Sequence, residues 1–82
     1  MTRLISPPTA IDVTLDHGGA PIAIAGALAG SIEPIARWKV ECSWWDRPVV
    51  REYWKVVINN TLLCEIFHDA SVKEWFVDRV YD

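Results

Sequence analysis

Between Arg37 and Asp69 the chain reads RWKVECSWWDRPVVREYWKVVINNTLLCEIFHD, and its apolar and polar residues alternate. A period of two is the pattern of half-buried β-strands, whose side chains point to opposite faces in turn. Trp38, Val40, Cys42 and Trp44 occupy even positions, with Arg37, Lys39, Glu41 and Ser43 between them. After Asp46-Arg47-Pro48 the pattern resumes with Val50, Trp54, Val56 and Ile58 on one face and Arg51, Tyr53 and Lys55 on the other. Asn59-Asn60 then turns the chain, since Asn tolerates the positive φ of tight hairpins. Leu62, Cys64 and Ile66 follow. The reading is three antiparallel strands sharing one tryptophan-rich inner face.

Charge and shape suggest the register. With the first hairpin centred on its Asp46–Arg47 loop, Glu41 faces Arg51, Lys39 faces Tyr53 and Trp38 faces Trp54. In the second hairpin, a loop of Asn59, Asn60 and Thr61 puts Lys55 opposite Glu65, Tyr53 opposite Phe67 and Arg51 opposite Asp69. Trp54 then meets Ile66 and Val56 meets Cys64. Each matched cross-strand pair contributes about 0.2–1 kcal/mol, so agreement of several favours this loop. Its expected drawback is a β-branched Thr61 in a left-handed conformation.

The flanks extend the β reading. Residues 1–9, with Pro7-Pro8, read as a flexible leader, and 10–82 as one small domain. Ile11, Val13 and Leu15 alternate into a strand that ends at the turn Asp16-His17-Gly18-Gly19, and Pro21 begins the return. A helix over 20–30 competes there, although each interior Gly costs a helix roughly 1 kcal/mol. Pro34 belongs at a sheet edge or strand start. The last strand runs from Glu74 to Tyr81 with large apolar groups on both faces. The expected fold is all-β, a five- to six-stranded antiparallel meander curled into a small barrel or roll.

Composition limits the function. A net charge of −3 is opposed to a chain that coats nucleic acid, which needs a basic footprint. No apolar run reaches the 18 or so residues of a membrane span, and the stretch 20–30 lacks the basic flank of a secretory signal. Cys42 and Cys64 on the inner face read as small hydrophobes in a reducing compartment. A cytoplasmic location is expected. No cofactor or metal is implied, because His17, His68, Cys42 and Cys64 lack ligand spacing.

Catalytic groupings are poor. Ser43, His68 and Asp69 have the residue types of a triad, but Ser43 and His68 fall on opposite expected faces. Glu52 points inward between Val50 and Trp54, where burial would raise its pKa; a rim position bonded to a backbone amide or an indole is the plainer account. The domain is therefore read as non-enzymatic. Alternation forces one of Trp44 and Trp45 outward, and Trp and Arg lead among interface hot spots. Trp45, Arg47 and Pro48 at the first hairpin tip are thus the candidate protein-binding residues. The alternative is a single-stranded nucleic-acid-binding barrel, whose outer face would use Arg37, Lys39, Arg51, Tyr53 and Lys55 to stack bases and hold phosphates. Glu41, Glu65 and Asp69 on that face would pair with those cations. Edge strands also leave room for a homodimer.

Several pieces resemble a family of small uncharacterised bacterial domains. They are Ile11-Asp12-Val13, Gly19, Pro21, Trp38, Trp44-Trp45, Arg51-Glu52-Tyr53, Glu65-Ile66-Phe67-His68-Asp69, Trp75 and the ending Asp78-Arg79-Val80-Tyr81-Asp82. The sequence departs from that pattern at His68, where arginine is usual, and in the alanines of 23–30. Similar domains also stand at the C-terminus of the Y-family polymerase-like subunit of a DNA-damage mutasome. The resemblance implies a non-enzymatic adaptor linked to DNA-damage tolerance, and no catalytic residues come with it.

Overall fold

The computed structural model describes residues 2–26, 28–44 and 47–81, without the side chains at 2, 3, 5–7, 42–44, 47 and 48. Six antiparallel strands follow in chain order: β1 (Thr2–Leu15), β2 (Pro21–Gly26), β3 (Gly30–Trp44), β4 (Arg47–Ile58), β5 (Leu62–Asp69) and β6 (Glu74–Tyr81). Each pairs with the next, and β1 pairs with β6 to close a barrel. The expected all-β barrel is the observed fold, and β2 takes the place of the competing helix.

Local chemistry sets the turns. The Asp16 carboxylate accepts from the amides of Gly18 and Ala20, both at 2.9 Å, while Gly19 takes a φ of 85°. At the second hairpin the left-handed residues are Asn59 (φ 50°) and Asn60 (φ 60°), so Thr61 carries no such strain. Asn59 also clamps the start of β3: its amide N–H donates to the Ser31 carbonyl at 2.9 Å, and its side-chain oxygen accepts from the Ser31 amide at 3.2 Å. After β5, the Asp69 carboxylate accepts from the Ser71 hydroxyl at 2.6 Å and the Ser71 amide at 2.9 Å.

The core is aliphatic around one large ring. Ile11, Ile24, Ile32, Trp54, Val56, Ile58, Cys64, Ile66, Val77 and Val80 form one buried cluster, with Trp75 packed against it. Removal of this surface from water is the main term holding so small a domain together.

One-residue bulges on β2 (Ile22), β3 and β6 reset which side chains face that core. On β3 the pairing runs Pro34 with Val56 and then Ala36 with Lys55, leaving Ile35 extra. Even residues point inward before it (Ile32), and odd residues share the inner face after it, where Arg37 opposes Trp54. On β6 the extra residue is Asp78, so Val77 and Val80 both point inward. That shift explains why the strand shows large apolar groups on both faces.

Three expectations are corrected. Residues 2–9 belong to β1: Thr2, Arg3 and Leu4 pair with Tyr81, Val80 and Arg79, and Thr9 with Val77. The chain ends meet, which no local pattern encodes. The first hairpin is one residue out of the expected register, with Trp38 opposite Tyr53, Lys39 opposite Glu52 and Glu41 opposite Val50. Its pairing closes at Trp44–Arg47, around residues 45 and 46 instead of the loop centred on Asp46–Arg47. Trp38 therefore leaves the inner face, where Trp54 stays. The second hairpin has the expected register throughout, from Arg51–Asp69 to Val56–Cys64.

Candidate interaction surface

The β3–β4 hairpin outgrows the barrel. β4 pairs with β5 only from Arg51 onward, while β3 and β4 continue together to Trp44 and Arg47. This projecting arm has two faces of different chemistry.

One face continues the barrel interior. Arg37 lies with its guanidinium carbon 5.0 Å from the Trp54 ring centroid and donates to Glu52 at 3.0 Å. Lys39 pairs with Glu41 at 3.1 Å. Here a cation and a carboxylate cover the end of the core, and Glu52 has an arginine partner in place of the expected amide or indole.

The other face carries a row of rings across four strands. Trp38, Tyr53, Phe67 and Phe76 stand directly opposite one another on β3, β4, β5 and β6. Ring centroids are 5.5 Å apart for Trp38–Tyr53, 5.1 Å for Tyr53–Phe67 and 5.3 Å for Phe67–Phe76. Trp38 and Tyr53 are within 5° of parallel, so they present faces to each other and edges to solvent. Phe67 is 2 % exposed although it lies outside the core cluster. Its neighbours Pro8, Arg51, Asp69 and Phe76 line a hollow of about 150 Å³ beside it. Trp38, at the open end of the row, is 37 % exposed, as is Val40 on the same face.

Cations on this face already have partners. Arg51 sits 4.8 Å above the Phe67 ring and 3.6 Å from Asp69. Lys55 lies 4.8 Å from the Tyr81 ring centroid. Tyr81 donates to Glu65 at 2.8 Å, and this hydrogen bond to a carboxylate pushes the phenol pKa up. Arg79 approaches Glu65 at 3.8 Å. The face is apolar in its middle and charge-balanced at its margins.

The candidate residues fare differently. Trp45 lies outside the described residues; Arg47 and Pro48 open β4, and their side chains lie outside the description. Of the five nucleic-acid candidates, Arg51, Tyr53 and Lys55 share the ring-bearing face. Arg37 and Lys39 are on the opposite one, because of the register shift and the Ile35 bulge. Missing from the expected site were Trp38, Phe67 and Phe76. The signal for Trp38 was present: a two-residue loop at 45–46 matches Lys39 with Glu52 and Trp38 with Tyr53, a charge pair and an aromatic pair together.

A cleft of about 370 Å³ opens near the end of the barrel beside Asp12, Lys73, Glu74 and Trp75, and neither Glu52 nor His68 lines it. Among the described residues no cluster of three His, Cys, Asp or Glu could hold a metal ion. Among the described residues no helix is long and apolar enough to cross a membrane. Comparisons with family models, curated proteins and solved structures find no match to this chain.

Proposed function

We propose that this barrel is a non-enzymatic protein-interaction domain, an adaptor that docks a partner on the outer face of its β3–β4 arm. The observation that carries this reading is the ring row with its exposed end at Trp38 and Val40. An apolar centre of aromatic side chains inside a charged margin is the composition of protein-docking surfaces. Trp45, Arg47 and Pro48, next along the chain from this arm, are proposed as part of the same surface. The resemblance to mutasome-associated domains makes DNA-damage tolerance the proposed setting and the bacterial cytoplasm the proposed location.

The rival, a single-stranded nucleic-acid binder, loses support from the geometry. Base stacking needs ring faces turned outward, whereas these rings turn their faces to one another. Its cations are divided between two faces; Arg37 pairs with Glu52, Arg51 approaches Asp69, and Lys55 stands opposite Glu65.

Selection of peptides from a displayed library, followed by amide chemical-shift mapping, tests the proposal. Bound peptides are expected to shift Trp38, Val40, Tyr53 and Phe67, and Trp38→Ala is expected to weaken them at least tenfold. Shifts confined to the far side of the barrel would overturn it. So would salt-sensitive binding of an oligonucleotide to the wild-type ring face.

A further inference from the structure

β3 has two edges, and one of them is largely open. Among the described residues it pairs with β2 only at Gly30 and Ser31, but with β4 from Ile32 to Trp44. Every residue from Glu33 to Glu41 is exposed. A strand in this state presents a row of backbone N–H and C=O groups that pairs readily with another strand. Ser31 turns its carbonyl to β4, so by alternation Pro34 has its ring nitrogen on the open edge, where no N–H is available to donate. Pro34 and the bulge at Ile35 therefore block pairing at the start of the edge. From Ala36 to Trp44 there is no proline, glycine or bulge.

We propose that this edge pairs antiparallel with the same edge of a second copy of the chain, with Val40 on the two-fold axis. The inference does not rest on the docking surface proposed above.

Charge decides the occupant and the register. Arg37, Lys39 and Glu41 stand at every second position on one face of the edge. In antiparallel pairing, opposed residues share a face, and like charges opposite one another are destabilising. A two-fold at Arg37, Lys39 or Glu41 sets a charge against its own copy, and one at Trp38 sets Arg37 against Lys39 twice. Centred on Val40, Lys39 of each copy faces Glu41 of the other, Arg37 faces the neutral Ser43, and no like charges meet. Within one chain Lys39 and Glu41 already pair at 3.1 Å, but both side chains are more than half exposed, at 57 % and 63 %. An exposed pair of this kind is weak and exchanges partners easily. On the other face, Val40 meets Val40 of the second copy, and the position opposite Trp38 is Cys42. The two ring rows thereby join one continuous sheet surface, whose outer face stays open. The interface is isologous and closes at two copies. It is also small, so a dissociation constant on the order of 100 μM is expected.

Sedimentation velocity from about 10 μM to 1 mM reads the outcome directly. The wild-type mass is expected to rise from one chain towards two. Lys39→Glu and Glu41→Lys are each expected to stay at one chain, because each sets like charges opposite. Mixed in equal amounts, the two variants are expected to associate, since every Glu of one then faces a Lys of the other. A wild type that stays at single-chain mass through 1 mM overturns the proposal, as does a mixture that fails to associate. Single variants that self-associate as well as wild type overturn the register. Amide hydrogen exchange on the wild type gives a readout independent of the variants: protection of the Arg37, Lys39, Glu41 and Ser43 amides, which alternation turns to the open edge, must increase with concentration, and unchanged exchange refutes the pairing.

Discussion

Trp38 stacks on Tyr53 with their planes 5° apart and their centroids 5.5 Å apart, on the outside of the barrel. The stack depends on a strand register that also sends Arg37 to the opposite face, over Trp54. Position along the row sets what each ring does. Trp38 at the end is exposed, while Phe67 in the middle is enclosed.

Truncation along the row should separate those roles. Phe67→Ala removes a ring that is 2 % exposed and is expected to cost about 3–5 kcal/mol of stability. Trp38→Ala loses mainly the pairing with Tyr53, about 0.5–1.5 kcal/mol. Urea unfolding followed by circular dichroism checks both, and equal losses would contradict the assignment.

Gly30 is expected to resist substitution. Its φ of 144° is a conformation that L side chains rarely adopt, and a Cβ there would collide with the Asn59 side chain. Gly30→Ala should therefore destabilise by about 1–3 kcal/mol, through backbone strain and the displaced Asn59–Ser31 hydrogen bond. Asn59→Ala in the same background should relieve part of that loss, which a double-mutant cycle measures.

Cys64 should be chemically silent. It is fully buried, and burial pushes its thiol pKa up to about 11, with Glu65 adding to the shift. Thiolate is the reactive form, so at pH 8 little of it exists and none is accessible. In a Cys42→Ser background, a disulfide reagent is expected to label nothing in the native protein and one thiol after unfolding in urea.

Asp69 should make stability sensitive to acid. The Ser71 hydroxyl, the Ser71 and Val72 amides and the Arg51 charge hold its carboxyl below the usual value, against the opposing effect of burial. A depressed folded pKa gives stability that is fully present above the unfolded value, near 4, and lost as pH falls through the folded one. The urea midpoint is expected to fall between about pH 5 and pH 2. Ser71→Ala is expected to flatten that dependence without altering the midpoint's response above pH 6.

The second hairpin was legible because its register is overdetermined locally. Asn59 and Asn60 favour the left-handed turn, and Lys55–Glu65, Trp54–Ile66 and Tyr53–Phe67 all agree on one alignment. β6 was legible in extent from Glu74 to Tyr81, but its facing was not, since Asp78 as a bulge looks like any polar residue in an alternating strand. The ring row was half legible: Tyr53 and Phe67 were matched, while Trp38 was assigned to the core.

By itself, the sequence determined the all-β class, most of the strands and the turns at Asp16–Gly19 and Asn59–Asn60, because a period of two, Asn-Asn and Asp-x-Gly-Gly act through neighbours in the chain. Only the tertiary structure decided which faces those strands share. A one-residue slip at the first hairpin or one extra residue at Ile35 exchanges inside for outside while leaving the alternation intact. Closure through Thr2–Tyr81 likewise joins residues at opposite ends of the chain, so it forms only when the whole sheet curls.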